Sequence, residues 1–189
     1  MAKRPIDKRW NDLRVALAAQ GSAELVGLVR DLHDLSRENR DFLNTRYLAS
    51  ADRLGPYKEL IEESLYPDVC SNKPICISAA KKALSQYAKA TNDEAGTLEL
   101  MVYFVERGTH CAADLGIDDE SFYSAMESMF GRVLKTLRRS STEVREGFLP
   151  RLTAIRDAAD GIGWGYHDCL GDALEQAFPG AGKDDATAA

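Results

Sequence analysis

The sequence predicts an all-α fold, an irregular multi-helix bundle of about eight to nine helices assembled from antiparallel helical hairpins. Three observations lead there. The first is the stretch Leu98–Val105, LELMVYFV, in which every residue but Glu99 is apolar. Run length alone does not separate a buried strand from a buried helix, but the flanks do. Asn92, Asp93 and Glu94 upstream supply an N-cap and an acidic first turn, and Gly108 downstream suits a left-handed C′ position. A helix apolar on nearly every side has to be wrapped by neighbours, so this segment is predicted to be the core helix of a bundle. The second observation is the amphipathic run 122–137. At 100° per residue, Phe122, Tyr123, Met126, Met129, Phe130, Val133, Leu134 and Leu137 share an arc of about 140°, with Arg132, Lys135, Arg138 and Arg139 opposite. The third is the shortness of the links near the N-terminus. Ser22-Ala23-Glu24 and Ser36-Arg37-Glu38 each set a hydroxyl ahead of an acidic first turn, and such short links favour antiparallel neighbours.

In chain order, Pro5 suits the first position of a helix, with Ile6, Trp10, Leu13 and Leu17 at helical spacing and Gly21 as its end. A second helix follows from Ser22, with Leu25, Val26, Leu28, Val29 and Leu32 on one arc. A third opens at Ser36 and turns Phe42, Leu43, Tyr47 and Leu48 inward. Tyr57, Leu60, Ile61 and Leu65 define a fourth, stopped by Pro67, and PDVCSNKPIC (67–76) is the longest internal loop expected. Ile77, Ala80, Leu84 and Tyr87 mark a fifth, ahead of the core helix at 93–107. Asp118 is a natural cap for the amphipathic helix. Thr142 caps another through Phe148, Leu152 and Ile155, which Pro150 either kinks or postpones. A Gly-rich turn at 161–165 leads into a last helix carrying Leu170, Leu174 and Phe178. The expected organisation is a basic N-terminal helix (1–21) packed on a single helical domain (22–178), followed by a disordered tail (179–189).

Composition narrows the function classes. Hydrophobic content of 44% with 29% charged residues is that of a soluble globular chain. The longest apolar run, Leu100–Val105, is far short of a membrane span, and no apolar stretch near Met1 predicts a secretory leader. Four cysteines in 189 residues do not make a disulfide framework, so reduced thiols and a cytoplasmic location are expected. The net charge of −6 is uneven: residues 1–14 carry five Lys/Arg against two Asp/Glu, and residues 131–156 carry seven against two. An acidic whole argues against wholesale nucleic-acid binding, while a local basic face at Arg132, Lys135 and Arg139, continued by Arg145, Arg151 and Arg156, suits phosphate or an acidic partner. That face lacks the interleaved aromatics of single-strand binders, and its ordinary role is the solvated side of an amphipathic helix.

The best candidate site is Gly161–Asp168, GIGWGYHD. Its three glycines permit a tight turn and a close backbone approach, and Trp164, Tyr166, His167 and Asp168 follow at a helix start. The competing reading is structural, with Gly161 ending one helix, Trp164 packed inward and Asp168 serving the next helix. Without a preceding strand the turn is no dinucleotide fingerprint. His110-Cys111 and His167-x-Cys169 offer metal-ligand chemistry but lack the spacing of known sites, so no metal is expected. His33 fits the hydrogen-bonded rim of its helix. Glu62-Glu63 and Asp118-Asp119-Glu120 read as surface or caps, and no nucleophile triad, zinc pair, P-loop or EF-hand spacing occurs.

Segments 24–48, 77–91, 98–130 and 161–168 together resemble an uncharacterised bacterial all-helical family, a domain of unknown function, over most of residues 22–170. The resemblance implies a helical fold and imports no activity and no catalytic residue. The residues themselves favour a non-catalytic interaction protein that binds another protein through a helix face, with no cofactor. The two competing readings are a ligand-binding protein or enzyme centred on Gly161–Asp168, and a nucleic-acid-associated regulator using the basic face.

Overall fold

The computed structural model describes residues 8–48, 52–68 and 73–180. Among them are nine α-helices and no strand: α1 Lys8–Ala18, α2 Ser22–Leu35, α3 Arg37–Tyr47, α4 Gly55–Leu65, α5 Ile77–Thr91, α6 Glu94–Leu115, α7 Glu120–Leu137, α8 Thr142–Ala158 and α9 Tyr166–Ala177. The fold is all-α, as the periodicity predicts. The expected start at Pro5, the centre of the 67–76 loop with Cys70, and the tail from Ala181 lie outside the described residues.

The chain divides into two compact units, Met1–Ala49 and Ser50–Ala189. The sequence-based division, after residue 21, joined α2 and α3 to the following helices; the compact units instead divide after α3. In the first unit α2 packs beside α3. Ser36 links them, its Oγ accepting from the Asn39 backbone N–H at 3.1 Å while Asn39 Nδ2 donates to the Leu32 carbonyl at 2.8 Å. Ser22 is the first residue inside α2 and not its cap. Gly21 holds that position, and its N–H donates to Glu24 Oε2 at 2.7 Å. No residue of α2 is buried, and Thr45 is the buried residue of this unit among those described.

The second unit is built around α6. This helix packs against α4, α5, α7 and α8, while α9 lies on α7 and α8. Leu98, Leu100, Met101, Val102, Phe104 and Val105 are all buried. The enclosed rod expected at 98–105 is therefore present, but it is longer than predicted. Asn92, with φ of 53°, ends α5. Asp93 is the N-cap, its carboxylate accepting from the Gly96 N–H at 3.0 Å, and the helix runs through Gly108 to a left-handed Gly116. Gly108 is thus no C′ residue. It is a point of contact, because a Cβ there would overlap Met126 Sδ of α7. Every apolar position assigned to the inward arc of α7 is buried. Its cap is Asp119 and not Asp118, with Oδ1 accepting from the Ser121 N–H at 2.8 Å. Likewise Ser141, not Thr142, caps α8, which continues unbroken past Pro150.

Overpacking a tight helix crossing forces side chains off rotamer or the backbone apart. Gly108→Val should therefore lower the urea midpoint, costing roughly 1–3 kcal/mol with the m-value unchanged. A midpoint equal to that of the wild type would show that the α6–α7 contact is not tight at this position.

Candidate functional site

The Gly-rich corner between α8 and α9 turns on positive-φ residues, with Gly161 at 75°, Trp164 at 64° and Gly165 at 64°. A Cβ at Gly161, Gly163 or Gly165 would meet no neighbouring atom within 4 Å. These glycines serve backbone conformation rather than the close approach that the sequence also allowed. Tyr166, the first residue of α9, is fully buried. Its hydroxyl shares a 2.9 Å hydrogen bond with Thr109 Oγ1 on α6, and its ring lies 5.3 Å from that of Tyr123. Burial pushes the Tyr166 phenol well above its ordinary pKa, so it is neutral throughout the working range. Trp164 does not pack inward and is 54% exposed. His167 Nδ1 and Asp168 Oδ1 sit 3.2 Å apart on the surface. Of the four residues nominated here, one anchors α9 and three face water.

The basic face separates into two parts. Arg132, Lys135 and Arg139 line a cleft of about 820 Å³ whose other wall is the α5–α6 junction, with Asn92, Glu94 and Thr97. A second cleft, of about 550 Å³, lies on the far side of Lys135 and Arg139 and includes Arg138. Trp164, Tyr166, His167 and Asp168 line neither. The expected continuation through Arg145, Arg151 and Arg156 is not continuous with this face. Arg145 stands over the Phe178 ring at 5.9 Å, and Arg156 Nη2 bonds Asp157 Oδ1 at 2.5 Å. Arg151 turns to α6, donating to both oxygens of Glu99 and of Glu106.

That last contact belongs to a polar seam which the sequence reading missed. Along one stripe of α6 stand Glu99, Tyr103, Glu106, Arg107 and His110. Lys58 of α4 donates to Glu99 at 2.7 Å, and Glu62 of α4 accepts from Tyr103 at 2.6 Å and from Arg107 at 2.5 Å. Arg107 Nη1 also lies 3.2 Å from His110 Nδ1. Burial and the bond to Glu62 push the Tyr103 phenol up to about 12. Burial works against the Glu99 carboxylate, but the bonds from Arg151 and Lys58 outweigh it and hold its pKa below the ordinary value. The spacing of Glu99, Tyr103 and Glu106 was the available signal, a polar stripe on an otherwise apolar helix. Its partners lie more than forty residues away in sequence and have no local signature.

Cys111 is buried and its thiol is pushed up to about 11, mainly by that burial, whereas its neighbour His110 is exposed. Such a thiol is a small hydrophobe and a poor nucleophile. No group of three or more His, Cys, Asp or Glu able to hold a metal occurs among the described residues. Nor is any described helix long and apolar enough to cross a membrane. Comparison with protein-family models, curated proteins and solved structures finds no match.

Two tests follow from the buried polar contacts. Tyr166→Phe strands the Thr109 hydroxyl in the core and should cost roughly 1–3 kcal/mol; adding Thr109→Val should recover part of that loss in a double-mutant cycle. Strictly additive single effects would show that the hydroxyl pair does not couple. The Glu99 contribution has a definite pH sign. A carboxylate whose folded pKa lies below its ordinary 4.5 adds stability above that pH and loses it as pH falls through the folded value. Chemical denaturation across pH 3–6 should show stability dropping below about 4.5, and Arg151→Gln should make that drop shallower. An unchanged slope in the variant would remove Arg151 as the cause.

Proposed function

We propose that the protein is a non-catalytic helical interaction protein that takes another protein on the apolar faces of its first unit. The observation that carries this reading is α2. Leu25, Leu28, Leu32 and Leu35 follow the 3-4-3 spacing of a coiled-coil seam, and with Val29 they fall within an arc of about 120°. Yet no residue of this helix is buried, and Leu28, Val29, Leu32 and Leu35 all remain exposed. On α1, Trp10 and Leu13 are exposed in the same way.

Helices of 11 to 14 residues are marginal in water unless an apolar face is covered. Each half-exposed Leu or Val still has roughly 1 kcal/mol to gain from burial. Apolar side chains left exposed along one helix face are the groups a protein partner can cover. The partner that fits is an amphipathic helix laying its own apolar side along α2. The Gly161–Asp168 corner supports catalysis less well, because its buried tyrosine serves packing and its other groups face water.

Cross-linking the tagged 189-residue chain in extract of its source cells should recover one stoichiometric partner. Leu28→Asp combined with Leu32→Asp should abolish that recovery. An inert monomer with no partner, or equal recovery by the variant, overturns the reading.

A further inference from the structure

We propose that the cleft between the α5–α6 junction and the C-terminal half of α7 binds a small organic ligand bearing two or more phosphates. This site is independent of the apolar surface on the first unit. Its volume of about 820 Å³ lies within the ~300–1,000 Å³ range of small-ligand sites. Arg132 and Lys135, one turn apart near the end of α7, and Arg139, in the turn that follows Leu137, all line the cleft.

The fold does not spend these three cations on its own carboxylates. Lys58, Arg107, Arg151 and Arg156 all form ion pairs with carboxylates. Arg132, Lys135 and Arg139 form no ion pair with any described residue, although the chain carries 30 Asp and Glu against 24 Lys and Arg. Three adjacent like charges repel one another, and a single multiply charged anion relieves all three at once. Guanidinium groups match phosphate oxygens as paired donors, whereas the Thr136 and Ser140 hydroxyls on the same wall already donate to the Arg132 and Thr136 carbonyls at 2.9 and 3.1 Å.

The opposite wall supplies the other half of the recognition. The Asp93 carboxylate is already committed, accepting from the Tyr87 hydroxyl at 2.7 Å and from the Gly96 N–H. Glu94 forms no ion pair with any described residue and is the carboxylate left to accept from hydroxyl or amino groups on the organic part of a ligand. A nucleic-acid strand fits less well, because no aromatic side chain lines the cleft for base stacking.

Isothermal titration of the 189-residue chain with sodium pyrophosphate tests the site. One equivalent should bind, at least about tenfold more tightly than orthophosphate. The exposed triple variant Arg132→Gln/Lys135→Gln/Arg139→Gln should lose that binding while keeping its circular dichroism and melting temperature. Glu94→Gln should leave pyrophosphate affinity the same or raise it. Leu28→Asp/Leu32→Asp should leave it unaltered, which separates failure of this site from failure of the partner surface. Absence of pyrophosphate binding, equal affinity in the triple variant, or binding confined to an oligonucleotide or an acidic peptide each overturns the proposal.

Discussion

The constraint on which the second unit rests is the enclosure of α6. A helix with apolar side chains on most of its circumference is stable in water only if several neighbours cover it at once. Here α4, α5, α7 and α8 do so. Two glycines of α6 leave room for side chains of the neighbours. At Gly96 a side chain would overlap the Tyr87 hydroxyl of α5, and at Gly108 it would overlap Met126 of α7. In both cases the atom met belongs to a side chain, so these glycines make room for Tyr87 and Met126. The placing of α9 is tied to the same central helix, where Tyr166 reaches Thr109.

The same helix sorts the charges of the unit. Its single polar stripe receives Lys58 from α4 and Arg151 from α8, and the carboxylates Glu99 and Glu106 are saturated by them. These contacts are partly shielded from water, and their value lies in orientation as well as in net stability. Breaking one leaves its partner poorly solvated, whereas a surface pair is lost at little cost. The cations at the C-terminal end of α7 and in the turn after it stand under the opposite regime. They are exposed, form no ion pair with a described residue and sit beside clefts, so their charge is available to something other than the fold.

Much of the architecture was legible in the residues. Helical periodicity marked α2 through α7 and α9, and every residue placed on the apolar arc of α7 is buried, with Ala125 buried beside them. Boundaries slipped where neighbouring residues offer the same chemistry. Ser141 and Thr142, or Asp118 and Asp119, each provide a capping oxygen, and only the backbone φ decides which of the two is used. Gly108 illustrates a different ambiguity, since a glycine required by a close neighbour and one required by a left-handed turn look identical in sequence. Arg132, Lys135 and Arg139 could be grouped from helix spacing alone. Their separation from Arg151 could not, because that depends on carboxylates 45 to 52 residues away across the fold.

The two tryptophans of the chain are distributed so that each unit holds one, Trp10 in the first and Trp164 in the second, and both are more than half exposed. The native protein thus carries two spectroscopically similar indoles in water, one on each compact unit. Emission recorded from a single-tryptophan version of either kind reads its own unit alone, without an attached dye. Covering α1 would move the Trp10 spectrum to the blue and leave the other unshifted, so intrinsic light from the protein itself can say which of its two parts has been touched.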